Sequence, residues 1–160
     1  MEFLAGLHPK IIHFPIVLLL VYVVLEILSA ITKKEAFSKA AQITIILGVV
    51  TTLFAVLTGH QAEEIASKWE DAGARIPFKL IGEHEEFANI TLWYFAGLLV
   101  IRTVLVLKKK FTITFKYIFV LLALVGYYFV YQVGDHGGKL VYKHGVGTEI
   151  IKPEIKSKDK

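Results

Sequence analysis

Apolar residues run through this chain in four long blocks, Ile11 to Ile31, Ala41 to Gly59, Phe87 to Leu107 and Thr114 to Gly134. Each holds about 20 residues, the length that carries an α-helix across the hydrocarbon of a bilayer. Buried helices of soluble domains rarely reach that length, so the blocks predict transmembrane helices over about 11–31, 41–60, 86–107 and 114–136. The connectors Thr32 to Lys39 and Lys108 to Ile113 are short, which makes helices one and two, and three and four, antiparallel hairpins. The expected fold is all-α: an integral membrane protein whose four transmembrane helices form an antiparallel bundle, with both termini on the same side. It forms a single domain over 1–148.

The two hairpins are joined by 61–85, the largest polar stretch, where Glu63, Glu64, Glu70, Asp71, Glu83 and Glu85 stand against Lys68, Arg75 and Lys79. It is expected as a surface loop. Within it Ala62, Ile65, Ala66 and Trp69 fall at helical spacing, so a short amphipathic segment should lie on the membrane and end near Pro77. Gly137 and Gly138 are expected to break the pattern after the fourth helix, and 149–160 reads as a basic flexible tail. The hairpins are too dissimilar in sequence to be read as a repeat. The first apolar block lacks the charged start and small-residue cleavage site of a signal peptide and is long enough to span, so it should be retained, with Met1 opening the mature chain.

Composition sharpens this picture. The chain is 55% hydrophobic and 20% charged, more apolar than one soluble core requires, so its first partner is the lipid bilayer. A net charge of +4 could suggest nucleic acid, but the lysines stand beside long apolar runs as membrane flanks do, and no nucleic-acid partner is expected. Cysteine is absent, which excludes disulfides, iron-sulfur clusters, zinc ribbons and covalent c-type haem. Lys33, Lys34, Lys39, Lys108, Lys109 and Lys110 fill the two short connectors, with Lys116 close by. By the positive-inside rule these connectors face the cytoplasm of a bacterial-type inner (plasma) membrane. The opposite rim and both termini are then extracytoplasmic, although Lys139, Lys143 and the tail pull the other way.

With an even number of crossings, all six histidines share that opposite rim. His8 and His13 open the first helix, His60 ends the second, His84 precedes the third, and His136 and His144 follow the fourth. A single interfacial histidine needs no function, since it can bond loose helix-end carbonyls or water. Six on one side, with none in the basic connectors, is not how chance distributes them, and ionisable groups near hydrocarbon are candidates for function.

The motifs around these histidines resemble the membrane-protein family grouped as domain of unknown function 2231. They are Leu7-His8-Pro9 with Ile12-His13-Phe14-Pro15-Ile16, Thr58-Gly59 with Ala62-Glu63, His84-Glu85 with Phe87-Ala88, and the run Gly137-Gly138-Lys139-Leu140-Val141-Tyr142-Lys143-His144-Gly145-Val146. The resemblance spans nearly the whole chain and implies a redox role, because the domain is found joined to Rieske or cytochrome c-type modules. It points to His8, His13, Glu63, His84 and His144. His60 and His136 lie outside the family pattern.

Physical chemistry leads to a similar set. A b-type haem between helices needs two imidazoles approaching opposite faces of one macrocycle, which histidines on separate helices can supply. His8 and His13 are five residues apart, roughly 140° around a helix, so both cannot address one point. Pro15 frees the carbonyl of Ile11, and a kinked first turn could aim His13 inward; Pro9 equally fits a helix-start residue. Taken with the resemblance, which implies a lower rank for His60 and His136, the ligand candidates are His13, His84 and His144, then His8, with His60 and His136 behind them. Lys10, Arg75, Lys79, Lys139 and Lys143 could meet haem propionates.

Other chemistries compete. Glu63 and Glu85 beside His13, His84 and His144 would suit zinc, iron or manganese in metal handling or sensing. His84-Glu85 begins like a zinc-protease motif, but Ala88 stands where the second histidine belongs, and no phosphate loop or nucleophile elbow occurs. No arrangement of groups defines an enzyme. Tyr127, Tyr128 and Tyr131 could serve a quinone headgroup but read first as an interfacial aromatic belt. Glu26 and Arg102 lie at similar depth and are expected to form a structural ion pair. The leading expectation is a membrane electron-transfer protein binding haem b, linked to quinol and to a Rieske or c-type cytochrome partner. A non-haem metal protein is the second reading. The third is a structural or assembly subunit, whether homo-oligomeric or part of a larger complex.

Overall fold

The computed structural model describes residues 2–71 and 73–148, with side chains from Ala5 onward, so the expected tail over 149–160 lies outside the described residues. Its elements are all helical: α1 (Glu2–Ile11), α2 (His13–Thr32), α3 (Glu35–Asp71), α4 (Phe78–Leu107) and α5 (Ile113–His144). Helices α1 and α2 form one path across the membrane, interrupted only at Ile12. Pro15 cannot donate to the carbonyl of Ile11, yet Ile12 keeps right-handed helical torsions (φ −57°, ψ −25°) and donates to His8 O at 3.1 Å. Four helical paths are long and apolar enough to span: Ala5–Thr32, α3, α4 and α5.

Several helix boundaries differ from expectation, and α3 already begins at Glu35 within the expected first connector. The stretch 61–85 is helix except near its middle, because α3 continues to Asp71 and α4 already begins at Phe78. Apolar length measures the hydrocarbon, not the helix, and no breaker follows Gly59 until Gly73 (φ 98°). At 1.5 Å per residue the 37 residues of α3 reach about 55 Å, well beyond a core of about 30 Å. Likewise α5 runs through Gly137 and Gly138 and stops at Gly145 (φ 65°). There the N–H of Gly145 bonds Val141 O at 2.9 Å, and that of Val146 bonds Leu140 O at 2.9 Å, which closes the helix end.

Buried positions step by three and four along every span: Pro15, Leu19, Tyr22, Glu26 and Ser29; Ala41, Ile45, Gly48 and Thr52; Thr91, Phe95, Leu98 and Arg102; Phe119, Ala123, Gly126 and Val130. This spacing is the apolar seam of a helix bundle. The outward faces stay apolar, with Phe14, Leu57, Trp93, Ile101 and Leu121 exposed, as lipid requires. Backbone neighbours follow the ring α2, α3, α4, α5 and back to α2, so α1/α2 and α4 stand diagonally, as do α3 and α5.

Across the first diagonal the side chains meet in layers. Tyr22 packs edge-on against Phe95 with centroids 6.1 Å apart, and deeper toward the basic connectors Glu26 receives Arg102 Nε–H at 2.5 Å. The ion pair expected from equal depth is therefore present. The second diagonal supplies glycines that receive large side chains: a Cβ on Gly48 would sit 2.7 Å from Leu19 Cδ2, and one on Gly126 would sit 2.6 Å from Phe95 Cζ.

Candidate functional site

At the rim remote from the basic connectors the same arrangement recurs with histidines. His8, in the last turn of α1, lies against α3 where a Cβ on Gly59 would be 3.0 Å from its Cε1. His84, in the second turn of α4, lies against α5 where a Cβ on Gly137 would be 3.1 Å from its Cε1. Each histidine is eleven residues from the large residue beneath it, Leu19 or Phe95, and each glycine is eleven from its partner, Gly48 or Gly126. His8 and His84, Leu19 and Phe95, and Glu26 and Arg102 are all separated by 76 positions. The hairpins, which look unlike in sequence, thus repeat each other about an axis along the membrane normal.

The hydrogen bonds repeat as well. His84 donates Nδ1–H to the carbonyl of Val133 at 3.1 Å. The Nδ1 of His8 is 3.1 Å from Thr58 Oγ1, whose own proton goes to the carbonyl of Phe54 at 2.9 Å, so toward the imidazole this oxygen accepts. The carbonyl partner requires the His84 proton on Nδ1, and the same tautomer of His8 suits Thr58 Oγ1 as acceptor. This leaves Nε2 with its lone pair, the tautomer and the outer hydrogen bond that orient a metal-binding histidine.

Both rings line one cavity of about 130 Å³, whose walls are apolar and small, including Ala55, Ala88, Gly134 and Gly138. A Cβ on Gly134 or Gly138 would meet nothing within 4 Å, so open space lies directly against the backbone of α5. The wall residue Thr52 spends its hydroxyl on Gly48 O at 2.7 Å. Two imidazole nitrogens are thus the metal-seeking donors among the lining residues.

The remaining histidines do not enter this cavity. His13 is exposed on the outer surface, which its 140° offset from His8 explains once His8 faces in. His144 is exposed at the end of α5. His136 donates Nδ1–H to Gln132 O at 2.6 Å, stacks on Phe87 at 5.3 Å, and has Nε2 3.8 Å from Glu83. His60 joins Glu63 and Glu85 outside the cavity, so the carboxylates expected with His13, His84 and His144 gather around a different imidazole. Lys139 is paired with Asp135 and Lys79 lies 4.0 Å from Glu83, while Lys10, Arg75 and Lys143 are exposed at the rim. Tyr128 and Tyr131 are exposed on the outer surface, as a belt requires.

From sequence alone His8 ranks behind His13, and nothing marks Thr58 or Val133 as orienting groups, or Gly59 and Gly137 as seats for imidazoles. One signal could have found the histidines. Extending the seam backward from Pro15 in steps of three and four reaches Ile12 and His8, and from Thr91 it reaches Ala88 and His84.

Fold and site together define a multi-pass membrane protein, seated in the lipid bilayer, with a paired-histidine cavity at one end of a four-helix bundle. Residues 5–150 match the family described as predicted membrane protein (DUF2231), and the chain belongs to that family. No curated protein and no solved structure matches it.

Proposed function

We propose that this protein carries electrons through one b-type haem held between His8 and His84. The observation that supports this reading is the pair of Nδ1-anchored imidazoles on diagonal helices, each leaving Nε2 for one cavity. A bare divalent ion is held by three or more protein donors, with water completing its coordination, and the lining residues offer two nitrogens. A tetrapyrrole brings four nitrogens of its own and needs two more from opposite faces, which matches the donor set.

The apolar walls suit a porphyrin, and Gly134 and Gly138 leave room for a flat ring against the backbone. The cavity of about 130 Å³ is smaller than a whole porphyrin, so the helices around it would have to part to hold one. Lys10, Arg75 and Lys143 are within the same rim for acidic substituents. When bound, the haem would supply one-electron chemistry, and the chain's part is to fix both imidazoles and exclude water. The site would face the extracytoplasmic side of an inner membrane, exchanging electrons with quinol and with a Rieske or c-type cytochrome partner.

The test is a titration of purified protein with haemin. One equivalent should bind with a low-spin, bis-imidazole spectrum, and His8→Ala or His84→Ala should lose it. A wild-type protein that takes up no haemin overturns the reading.

A further inference from the structure

Outside the cavity a second donor set forms where α3 meets α4. His60 Nδ1 lies 3.4 Å from Glu85 Oε1 and 3.9 Å from Glu63 Oε2, and one donor atom from each of the three falls within 4.8 Å of the others. Four-coordinate zinc with bonds near 2.0–2.2 Å separates its ligands by about 3.3 Å, so small side-chain movements close this triangle on one ion. His60 and Glu63 are one helical turn apart and share a face of α3, while Glu85 comes from α4.

A plain ion pair accounts for the set poorly. One imidazole N–H serves one carboxylate, yet two carboxyl groups converge here, with an oxygen of Glu63 and one of Glu85 within 4.8 Å of each other. Two carboxylates drawn this near to one imidazole repel each other, and a cation between them relieves that repulsion. Nor does the bundle demand these residues. By the repeat that equates His8 with His84 and Gly59 with Gly137, the counterparts of His60, Glu63 and Glu85 are Gly138, Val141 and Pro9, none of which has a donor side chain.

We infer that His60, Glu63 and Glu85 bind one divalent transition-metal ion of the zinc class, with one nitrogen and two carboxylate oxygens, and that the partly exposed rim leaves a position for water. Nitrogen with carboxylate oxygen suits zinc and manganese over magnesium or calcium, which prefer oxygen alone. The site stands apart from the haem reading, since it shares no ligand with the cavity. It sits next to it in sequence, His60 following Gly59 and Glu85 following His84, so a bound dication would place positive charge beside both imidazole seats.

Equilibrium dialysis of the purified full chain against Zn²⁺, with Co²⁺ as an optical probe of coordination, tests this. One ion per chain should bind, weakened more than roughly 100-fold by His60→Ala or Glu85→Gln. Binding should be unchanged in Glu64→Gln, His144→Ala and the double variant His8→Ala/His84→Ala. Glu64 and His144 are exposed and His8 and His84 are part-exposed, and helical circular dichroism checks that each variant folds. No stoichiometric binding, undiminished binding in His60→Ala and Glu85→Gln, or loss in the cavity double variant instead would overturn the assignment.

Discussion

Arg102 and Glu26 meet at 2.5 Å inside the bundle, and neither side chain exposes any surface. The guanidinium is further satisfied by Gln42 Oε1 at 2.6 Å, by the Ser38 carbonyl at 3.0 Å, and by the Phe111 ring 4.6 Å away. A buried pair adds little net stability over an apolar pair, but a lone buried charge is expensive. Arg102→Leu or Glu26→Leu alone should destabilise the protein by about 3–5 kcal/mol, and the double variant should recover most of the loss. Thermal unfolding in detergent reads this directly. A double variant whose loss equals the sum of the two single losses would mean that the charges do not act as a pair.

The glycines divide into two kinds. A Cβ at Gly126 would lie 2.6 Å from Phe95 Cζ and 2.9 Å from Tyr94 Cε1, whereas one at Gly134 meets nothing within 4 Å. Gly126→Ala should therefore lower stability by about 1–3 kcal/mol through overpacking. Gly134→Leu should leave it unchanged or raise it by up to about 1 kcal/mol, since glycine is a poor helix former. If the cavity holds a flat cofactor, the same stable Gly134→Leu protein should bind haemin weakly. Tight binding in a well-folded Gly134→Leu protein would place the cofactor elsewhere.

Thr58 orients His8 without facing the cavity as a ligand. Thr58→Val removes the acceptor for Nδ1 while keeping the shape, so haemin affinity should fall by roughly 10–100-fold, with Thr58→Ser close to wild type. A Thr58→Val protein with unaltered affinity would show that the carbonyl groups nearby suffice to fix the ring.

Much of the architecture was legible in the chain because membrane helices announce themselves by length. Four apolar blocks and short connectors set the antiparallel order, and the order alone placed every histidine at one end. Which histidine faces inward was not legible in the same way. Lipid is as apolar as the bundle interior, so Phe14 and Trp93 outside look like Leu19 and Phe95 inside, and periodicity in a uniformly apolar run carries little contrast. Glycines in a soluble protein suggest breaks, which is how Gly137 read; here the missing side chain is what seats His84. Likewise the polar run after Gly59 read as loop because it left the hydrocarbon, although nothing in it stops a helix until Gly73.

Sidedness can be measured cleanly, since the chain has no cysteine of its own. Single cysteines at Lys34 and Lys109 should label from one side of sealed vesicles, and one at Gly73 from the other. The positive-inside rule assigns the lysine positions to the cytoplasm. Labelling of Gly73→Cys and Lys109→Cys from the same side would contradict the hairpin order.

The central claim is that His8 and His84, not His13 or His144, converge on one metal-bearing group. The most direct measurement is the reduced-minus-oxidised visible spectrum of the purified protein and its four single histidine-to-alanine variants at these positions. A sharp low-spin haem signal in wild type, His13→Ala and His144→Ala, lost in His8→Ala and His84→Ala, is the predicted result. A signal that survives in His8→Ala and His84→Ala, or disappears with His13, would contradict it.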